Sequence, residues 1–421
     1  MNRKINAGFV STRFSGTDGV TMESSKWAQV LKQCGHRTYW FAGLLDRNPE
    51  RSLLVPEAFF HHDANQWIDQ RVFGRKARSA DVTDAIHEMK NLLKQRLREF
   101  IGKFGIDLLI AQNILTIPMH LPLGIALTEL IAETQIPTIA HHHDFYWERS
   151  RFTVNAVGDY LRMAFPPSLP NIEHVVINSA AQEQLAFRTG ISSSIVPNVL
   201  DFSNPPATDL LEAKNFRQSI GLTADDILIL QPTRIIQRKG IEHSIELVES
   251  LADSRYKLVI SHEAGDEGID YKDWLIEHAR SRGVDLRMIN LRITDPLNPE
   301  VNNQDLCTLW DVYPHADLVT YPSLYEGFGN AFLESVYFKK PILINRYATF
   351  IQDIEPRGFD LLAMDGYLTR RTVQNVRAVL ESPERREQMV NHNYQVAARH
   401  FSYEVLRRQL SALLTKFFGV N

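Results

Sequence analysis

The sequence has little cysteine: Cys34 and Cys307 are the two cysteines among 421 residues. Two distant thiols cannot build a disulfide framework or a cysteine-rich zinc site, and free thiols are typical of a reducing compartment. No run reaches the roughly 18 consecutive apolar residues of a membrane-spanning helix. The first residues, MNRKINAGFV, lack the apolar core and cleavage site of a signal peptide. The sequence therefore predicts a cytoplasmic protein without an integral membrane segment.

A strong charge of one sign is also missing. The formal charge is −4 at pH 7, whereas a nucleic-acid-binding domain usually has a basic excess. The predicted helix Ala85–Phe104 carries lysines and arginines that would suit a membrane surface, but Asp84, Glu88 and Glu99 dilute that charge. We therefore expect no nucleic-acid partner and no peripheral membrane contact, and we interpret this helix as a packed one with a solvated face.

What the sequence does contain is a regular alternation of short apolar runs and amphipathic stretches. The apolar runs predict strands at Ile5–Val10, Thr38–Ala42, Ile106–Ala111, Thr138–His142, Val175–Asn178, Ile227–Gln231, Tyr256–Ser261, Asp317–Tyr321 and Pro341–Asn345. The other stretches predict helices at Met22–Cys34, Ala85–Lys103, Pro122–Thr134, Gly240–Leu251, Tyr271–Ser281, Phe328–Phe338 and Tyr403–Phe418. This alternation is typical of parallel sheets with helices on both faces, so we predict an α/β fold.

A stretch rich in Ser, Pro and Asn, Ser192–Pro206, interrupts the alternation and is interpreted as a linker. The sequence thus predicts two doubly wound, Rossmann-like domains, 1–197 and 198–402. Ligands bind outside the carboxyl ends of the strands in such sheets, so we expect the two domains to face each other across a cleft. The segment 44–78 looks like an insertion, and acceptor binding is one option for it.

The segment YPSLYEGFGNAFLESV, at 321–336, places Glu326 and Glu334 with seven residues between them. A glycine-bearing turn that leads into a helix exposes backbone N–H groups, which suit phosphate or sugar hydroxyls. Glu326 would lie at the mouth of the turn, and Glu334, one turn into the helix, could accept hydrogen bonds from ribose hydroxyls. The alternative is an ordinary strand-to-helix connection with one solvated and one capping glutamate.

The segment QPTRIIQRKG, at 231–240, places Arg234 and Lys239 between a predicted strand and a predicted helix. Two cations at this position suit a diphosphate and could stabilise charge on a departing phosphate. Surface cations with no such role are the alternative. In the first domain, Gly16 and Gly19 follow the first strand, but their spacing is not GxGxxG and does not favour a nicotinamide cofactor. That loop suits an anion or is a simple turn.

The segment AHHHDFYWER, at 140–149, contains three consecutive histidines. Consecutive strand residues point to opposite sides of a sheet, so they cannot all ligate one ion, and we predict no metal site. His143, at the carboxyl end of the strand, could donate a hydrogen bond or carry a proton. The aromatic and charged loop after it could stack on a sugar or grip an acid group. The predicted acceptor-binding residues are Asn113, Asp144, Tyr146 and Arg149.

Taken in order, these motifs resemble those of the retaining GT-B glycosyltransferases of family 4, and the resemblance covers nearly the whole chain. It rests on Glu326 and Glu334 (E-x7-E), Arg234 and Lys239 (R-x4-K), Pro197-Asn198, the glycine loop ending at Gly19, and the pair His143-Asp144. The loop after Pro197 reads PNVLDF, where the family often has PNGVD. This departure affects the expected shape of that loop.

The resemblance implies a role for each of these residues. Arg234 and Lys239 would hold the diphosphate, with the Gly19 amide closing over it. The remaining donor contacts would come from Glu326 and the amides of Phe328, Gly329 and Asn330 at the sugar, and from Glu334 at the ribose. His143 would lie near the reacting sugar, and the last helix, 403–421, would cross back onto the first domain.

The resemblance also implies the reaction. A hexose would pass from a nucleotide diphosphate sugar, GDP-mannose or UDP-glucose, to a hydroxyl of an acceptor. The absence of a strong membrane signal favours a small soluble acceptor, such as a sugar or glycoside of compatible-solute type, over a lipid. Anomeric configuration would be retained by front-face attack, with no divalent metal or other cofactor. A nucleotide-sugar epimerase, a phosphorylase and a non-catalytic nucleotide-sugar-binding subunit on the same scaffold are the alternatives, and the oligomeric state is left open.

Overall fold

The structure is a computed structural model that describes residues 4–16, 18–205, 216–262, 269–289 and 309–419. Cys307 and Pro206, the end of the predicted linker, lie outside these ranges. The chain divides into two compact units. The first unit comprises Met1–Pro197 and Leu406–Asn421, and the second comprises Asn198–Val405.

The first unit is built on one parallel sheet. Its strands and a separate short pair are β1 (Asn6–Val10), β2 (Arg13–Phe14), β3 (Arg37–Ala42), β4 (Leu44–Leu45), β5 (Ser52–Leu54), β6 (Leu108–Gln112), β7 (Thr138–His142), β8 (Ile172–Val176) and β9 (Ser193–Ile195). Seven of them form a sheet in the order β5-β3-β1-β6-β7-β8-β9, while β2 pairs with β4. The helices are α1 (Gly19–Gln33), α2 (Asp63–Val72), α3 (Ala80–Phe104), α4 (Leu121–Thr134), α5 (Gly158–Ala164) and α6 (Ser179–Thr189).

The second unit is built on another parallel sheet. Its strands are β10 (Ile227–Gln231), β11 (Tyr256–Ile260), β12 (Leu286–Met288), β13 (Leu318–Tyr321), β14 (Ile342–Asn345) and β15 (Leu362–Met364), in the order β12-β11-β10-β13-β14-β15. The helices are α7 (Ile241–Leu251), α8 (Ile269–Ser281), α9 (Leu309–Val312), α10 (Asn330–Tyr337), α11 (Arg370–Glu381), α12 (Pro383–His400) and α13 (Tyr403–Phe418). The division between the units falls within α13, whose residues from Leu406 onward belong to the first unit.

Burial on both faces explains why the central strands are continuous apolar runs. All five residues of β6 are buried, and α3 and α4 cover one face of the sheet through a shared apolar cluster that includes Leu97 and Leu127. The central strand of the second sheet, β10, is covered in the same way by α7. Parallel strands buried on two faces are expected to lack alternation of apolar and polar residues.

Both sheets reverse their strand order beside their first strand. The reversal lies between β1 and β6 in the first unit and between β10 and β13 in the second. Such a topological switch point leaves a crevice at the carboxyl ends of the two strands, where ligands bind in open α/β sheets. The loops that follow these four strands therefore hold the residues of functional interest.

Several predicted elements match the structure and others do not. The predicted bounds of β7, β10 and α13 are confirmed. The predicted strand Val175–Asn178 is wrong in its bounds: the strand is Ile172–Val176, and Asn178 instead caps α6 by accepting from the Ala181 amide at 2.7 Å. The predicted linker begins too early, because β9 pairs with β8 as the edge strand of the first sheet.

The segment 44–78 is an integral part of the first unit. It contributes the edge strand β5, which pairs with β3, and the helix α2. Its last residue, Arg78, pairs with Asp159 and donates to the Ala156 carbonyl at 2.7 Å. These contacts tie both ends of the segment to the surrounding fold.

Three basic side chains of α3 pair with the neighbouring helix α4. Lys90 and Lys94 pair with Glu129 of α4 at 2.9 and 2.7 Å, and Arg98 pairs with Glu133 at 2.5 Å. The helix is therefore packed, as the sequence predicted. Among the described helices, none is both long and apolar enough to cross a membrane.

Buried neutral histidines make the first unit sensitive to acid. His120 caps α4: Nδ1 accepts from the Leu123 amide at 3.2 Å, so Nε2 carries the proton and donates to the Glu57 carbonyl at 2.8 Å. His174 Nδ1 lies 2.8 Å from His142 Nε2. Burial lowers the pKa of both His120 and His174 to about 4.

We predict that the free energy of unfolding falls as the pH drops from about 6.5 to about 4. In that window the unfolded chain binds protons at these histidines and the folded chain does not, which costs up to about 1.4 kcal/mol per pH unit for each histidine. Chemical denaturation between pH 4 and 8 measures the slope of the free energy of unfolding against pH. His174→Gln should reduce the slope, whereas the control His87→Gln, at an exposed histidine, should keep it. Equal slopes in all three proteins would contradict the prediction.

Candidate active site

The second unit brings Glu326 and Lys239 together at its switch point. Because β10 and β13 are adjacent parallel strands, the loops after them meet. Lys239 Nζ donates to Glu326 Oε1, and each side chain is only 10% exposed. Arg238 Nη1 lies 3.4 Å from Glu326 Oε2 and donates to the Tyr325 carbonyl at 2.9 Å. The carboxylate of Glu326 thus lies between two cations.

The surrounding charges fix the ionisation of Glu326. Burial alone would raise its pKa, but the charges of Lys239 and Arg238 outweigh burial and lower it. Burial also lowers the pKa of Lys239, against the attraction of Glu326. Glu326 is therefore a carboxylate at neutral pH, and its partner Lys239 is already engaged by it.

The two members of the predicted R-x4-K pair lie in different environments. Lys239 is buried against Glu326, whereas Arg234 is exposed and makes no hydrogen bond or ion pair with any residue in the described ranges. Lys239 is the last residue of a 3-10 turn, Gln237–Lys239, which is capped by Gly240 with φ 59°. A side chain at Gly240 would place its Cβ 2.6 Å from the Pro322 carbonyl oxygen, so glycine permits the close approach of the two loops.

Side chains that follow β14 hold the loop that carries Glu326. Asn345, Tyr347 and Thr349 each donate from the side chain to a backbone carbonyl of this loop. The accepting carbonyls are those of Ser323 (3.0 Å), Phe328 (2.8 Å) and Glu326 (3.0 Å), respectively. These three donors, which we call the β14 clamp, fix the path of the loop, and the sequence pattern did not reveal them.

The turn into α10 needs a glycine. Gly329 caps the helix at φ 108° and ψ 64°, in a region that L side chains rarely adopt. A Cβ at this position would lie 2.3 Å from the Tyr347 hydroxyl. Asn330, the first residue of α10, accepts at Oδ1 from Asn198 Nδ2 at 2.7 Å. The residues predicted at the donor sugar, Phe328, Gly329 and Asn330, thus form one braced turn.

Glu334 lies one turn into α10, as predicted. Its Oε2 accepts from the buried Tyr313 hydroxyl at 2.8 Å. Burial and the charge of Glu334 raise the pKa of Tyr313, which keeps the hydroxyl protonated as a donor. This hydrogen bond positions the carboxylate on the helix, and no motif in the sequence pointed to Tyr313.

His262 is a further residue at this sheet edge that the sequence interpretation missed. It follows β11, and its Nδ1 lies 2.9 Å from Ser261 Oγ. Burial, together with the positive charges of Lys239 and Arg234, lowers its pKa to about 4. It is therefore a neutral side chain beside the two cations. Its place directly after a predicted strand was the available signal.

In the first unit, Asp18 caps α1. Its carboxylate accepts from the amides of Val20 and Thr21 at 3.1 and 3.2 Å, and Arg13 Nη2 lies 3.0 Å from Asp18 Oδ2. Gly19 is the exposed first residue of the helix. Within the described ranges its amide has no hydrogen-bond partner, which is compatible with the anion contact predicted for it.

Gln112 joins two of the consecutive histidines. Its Oε1 lies 3.0 Å from His141 Nδ1 and 3.2 Å from His143 Nε2. An amide oxygen only accepts, so both histidine nitrogens carry protons, and Nδ1 of His143 is left as an acceptor. Burial lowers the pKa of His143 to about 4 against the opposing charges of Asp144 and Asp18, so the ring is neutral at neutral pH.

His142 points to the other side of the strand, where its ring nitrogens contact Thr116 and His174. This opposite orientation is what the alternation along a strand predicts. Within the ranges that the structure describes, no group of three or more His, Cys, Asp and Glu side chains is arranged to hold a metal ion.

Asn113 organises the predicted acceptor residues. It has the left-handed backbone conformation, with φ 58°. Its Oδ1 accepts from the His143 amide at 3.0 Å, and its Nδ2 donates to Asp144 Oδ1 at 2.8 Å. Asp144 in turn accepts from Arg149 through Nε, at 2.7 Å, and through Nη2. Asn113, His143, Asp144 and Arg149 therefore form one connected cluster.

Tyr146 does not join that cluster. It is partly buried and packs against the apolar side chains between α2, α3 and α5, among them Ile68 and Leu161. Burial raises the pKa of its hydroxyl. Its predicted role in acceptor binding stays a prediction, and the geometry gives this side chain a packing contact.

A pocket of 180 Å³ lies at the switch point of the first sheet. Its lining residues come from the loops after β1 and β6, the start of α1 and two other segments. They are Ser11, Thr12, Arg13, Asp18, Val20, Phe60, Gln112, Asn113, Ile114, Ile117, Met119 and Arg149. The sequence interpretation identified Asn113 and Arg149 but missed Arg13 and Phe60. Arg13 follows the first strand closely, whereas nothing marked Phe60 within the segment 44–78.

Known proteins with similar sequences and folds bear on this geometry. The model of the family "Glycosyl transferases group 1" matches residues 212–396. The chain is 32% identical to a mannosylglucosylglycerate synthase of Thermotoga maritima, over 94% of this chain and 96% of that protein. It is 31% identical to a mannosylglucosylglycerate synthase of Petrotoga mobilis, over 85% of this chain and 86% of that protein. A glycosyltransferase structure from Rickettsia africae superposes with a TM-score of 0.69 at 12% identity, covering 100% of both chains.

The braced turn at Gly329 allows a direct test of its geometry. We predict that Gly329→Ala lowers the free energy of unfolding by at least about 1 kcal/mol more than Gly358→Ala. Gly358 also has a positive φ, of 87°, but nothing lies within 4 Å of a Cβ there, so its substitution measures only the left-handed backbone cost of about 1–2 kcal/mol. Chemical denaturation of both variants gives the difference.

A double-mutant cycle with Tyr347 identifies the cause of the larger loss of stability expected for Gly329→Ala. Tyr347→Phe removes the hydroxyl that a Cβ at Gly329 would meet, and in the Gly329→Ala background it should recover part of the lost stability. Equal losses for the two glycine variants would show that the Tyr347 contact does not constrain this turn.

Proposed function

The chain belongs to the group 1 glycosyl transferases, and from this we propose that it transfers a mannosyl residue from GDP-mannose to glucosylglycerate. It is a glycosyltransferase with the GT-B fold, and its substrate is a nucleotide sugar. The proposal of a mannosyl donor and a glucosylglycerate acceptor is supported by the name of two relatives, mannosylglucosylglycerate synthase. The proposed acceptor agrees with our expectation, from the sequence, of an acceptor that is a sugar or glycoside of compatible-solute type.

One structural observation gives the main support to this proposal. The ionised Glu326 lies between Lys239 and Arg238 at the switch point of the second sheet. A carboxylate fixed in this way presents acceptor oxygens to sugar hydroxyls. The neighbouring turn at Gly329 supplies backbone N–H groups at the start of α10, a helix terminus that favours anions and hydroxyls. We assign the donor sugar to Glu326 and to the amides of Phe328, Gly329 and Asn330.

The remaining donor contacts follow from charge and exposure. Arg234 is the exposed cation beside Lys239, and we propose that it binds the diphosphate together with Lys239. Glu334, positioned by Tyr313, would accept hydrogen bonds from the ribose. In the first unit, the Gly19 amide is proposed to contact the diphosphate. His143 is proposed to accept, through Nδ1, from a hydroxyl of the reacting sugar.

We propose the following bond changes and proton transfer for the reaction. The bond between the mannosyl C1 and the phosphate oxygen breaks, and a bond forms between C1 and a hydroxyl oxygen of glucosylglycerate. The proton of that hydroxyl passes to the leaving diphosphate on the same face of the sugar, which retains the anomeric configuration. Arg234 and Lys239 stabilise the charge of the leaving group, and we propose that these cations serve without a divalent metal.

The names of the relatives give no support to the epimerase, phosphorylase and binding-subunit alternatives.

We predict that the purified protein forms mannosylglucosylglycerate from GDP-mannose and glucosylglycerate, and that UDP-glucose is a poorer donor. Mass spectrometry of the product and release of the nucleoside diphosphate measure the reaction. Glu326→Gln should lower kcat/KM by about 10- to 100-fold, the loss expected when a hydrogen bond to a charged group is weakened. Glutamine is preferred to alanine because it keeps the shape of the buried site beside Lys239. Chemical denaturation of the variant separates a loss of stability, expected because Lys239 loses its partner, from a loss of transfer.

The matched control is Glu355→Gln, a half-exposed carboxylate of the same unit that pairs with Arg346 at 2.8 Å. This variant should react at the wild-type rate. Transfer from neither nucleotide sugar would contradict the proposed function, and a wild-type rate for Glu326→Gln would contradict the role of Glu326.

The stereochemical outcome is a separate prediction. With α-linked GDP-mannose, proton NMR of the product should show an α-mannosyl linkage, because front-face departure and attack use the same side of the ring. A β-linked product would exclude front-face attack and would require an enzyme base on the opposite face.

A further inference from the structure

Two arginines line the pocket of the first unit, and a single acid lines it with them. The charged lining residues are Arg13, Arg149 and Asp18, and Asp144, which pairs with Arg149, offsets the charge of the second arginine. The carboxylate of Asp18 is already occupied, because it caps α1 and pairs with Arg13. The remaining lining is apolar or neutral. A preference of this pocket for a small anionic group therefore depends on the N–H donors that the two arginines retain beyond these pairs.

Arg149 keeps donors for such a group. Its Nε and Nη2 both donate to Asp144, which fixes the plane of the guanidinium. The partner that the structure gives to Nη1 is Met119 Sδ at 4.0 Å, and a thioether is a weak acceptor. The side chain is 40% exposed. One edge of this guanidinium is thus held by Asp144, and another N–H group is available for an oxygen ligand.

Arg13 is oriented from two sides. Its Nη2 pairs with Asp18 at 3.0 Å, and its guanidinium lies 5.5 Å from the centre of the Phe60 ring. Phe60 belongs to the segment 44–78 and lines the same pocket. A guanidinium has five N–H donors, so pairing with one carboxylate leaves others for a ligand. Arg13 and Arg149 are both fixed in orientation and both retain donors toward one pocket.

We propose that Arg13 and Arg149 bind the carboxylate of the acceptor and make the enzyme specific for an anionic glyceryl glycoside. This inference rests on the proposed function, since glucosylglycerate differs from glucosylglycerol by having a carboxylate in place of a hydroxymethyl group. Charge-assisted bonds from two arginines favour the carboxylate. The neutral acceptor cannot satisfy the same two cations, so the pocket selects against it.

The test compares the two acceptors with GDP-mannose as donor, in the wild type and in Arg13→Gln, Arg149→Gln and the double variant. The measured quantity is the ratio of kcat/KM for glucosylglycerate to kcat/KM for glucosylglycerol, in which changes in folding or donor binding cancel. We expect a wild-type ratio of at least about 100. Each single variant should lower it about 10-fold or more, the loss expected for a hydrogen bond to a charged group.

The control is Arg96→Gln, whose side chain pairs with Glu99 on the surface of α3 and whose ratio should equal that of the wild type. Arg149→Lys, which keeps the charge without the fork of donors, should give an intermediate ratio. A wild type that transfers to glucosylglycerate, together with arginine variants that keep the full ratio, would overturn this inference and leave the proposed function standing. A wild type that uses neither acceptor would overturn both.

Discussion

The buried ion pair between Lys239 and Glu326 is the constraint on which the site in the second unit depends. A carboxylate with only 10% exposure is stable as an anion because a cation lies against it. Losing Glu326 would leave the buried charge of Lys239 without its carboxylate partner, a loss of about 3–5 kcal/mol. The loops after β10 and β13 must therefore stay together. Gly240 permits their approach, and the β14 clamp holds the path of the second loop.

This arrangement places the two cations of the site in different environments. Lys239 neutralises Glu326, whereas Arg234 remains exposed and engaged with no described residue. The first unit also contains cations that are held by carboxylates, because Asp144 fixes Arg149 and Asp18 fixes Arg13. In each case a carboxylate orients a cation before any substrate arrives. Fixed groups of this kind lose less conformational entropy on binding than mobile ones.

The sequence was sufficient for the fold class and for most central strands, because those strands are long apolar runs between clear breaks. It was insufficient for strands at the edges of the sheets. The edge strand β9 consists of Ser193–Ile195 and has too few residues for a pattern. The motif residues were found where the chain itself brings them together, as in the turn after Glu326. Contacts between distant segments were not readable: Lys239 and Glu326 are 87 residues apart, and the Tyr347 and Tyr313 hydroxyls reach their acceptors through the fold.

The position of Phe60 has a consequence for how such an enzyme can diversify. This ring lines the proposed acceptor pocket and belongs to a segment attached through the edge strand β5, outside the central strands of its sheet. The residues that we propose to bind the donor lie on other loops, most of them in a different compact unit. Under these proposed roles, substitutions or length changes in this peripheral segment would change acceptor choice and leave the donor chemistry unchanged, so the segment is suited to graft experiments between relatives.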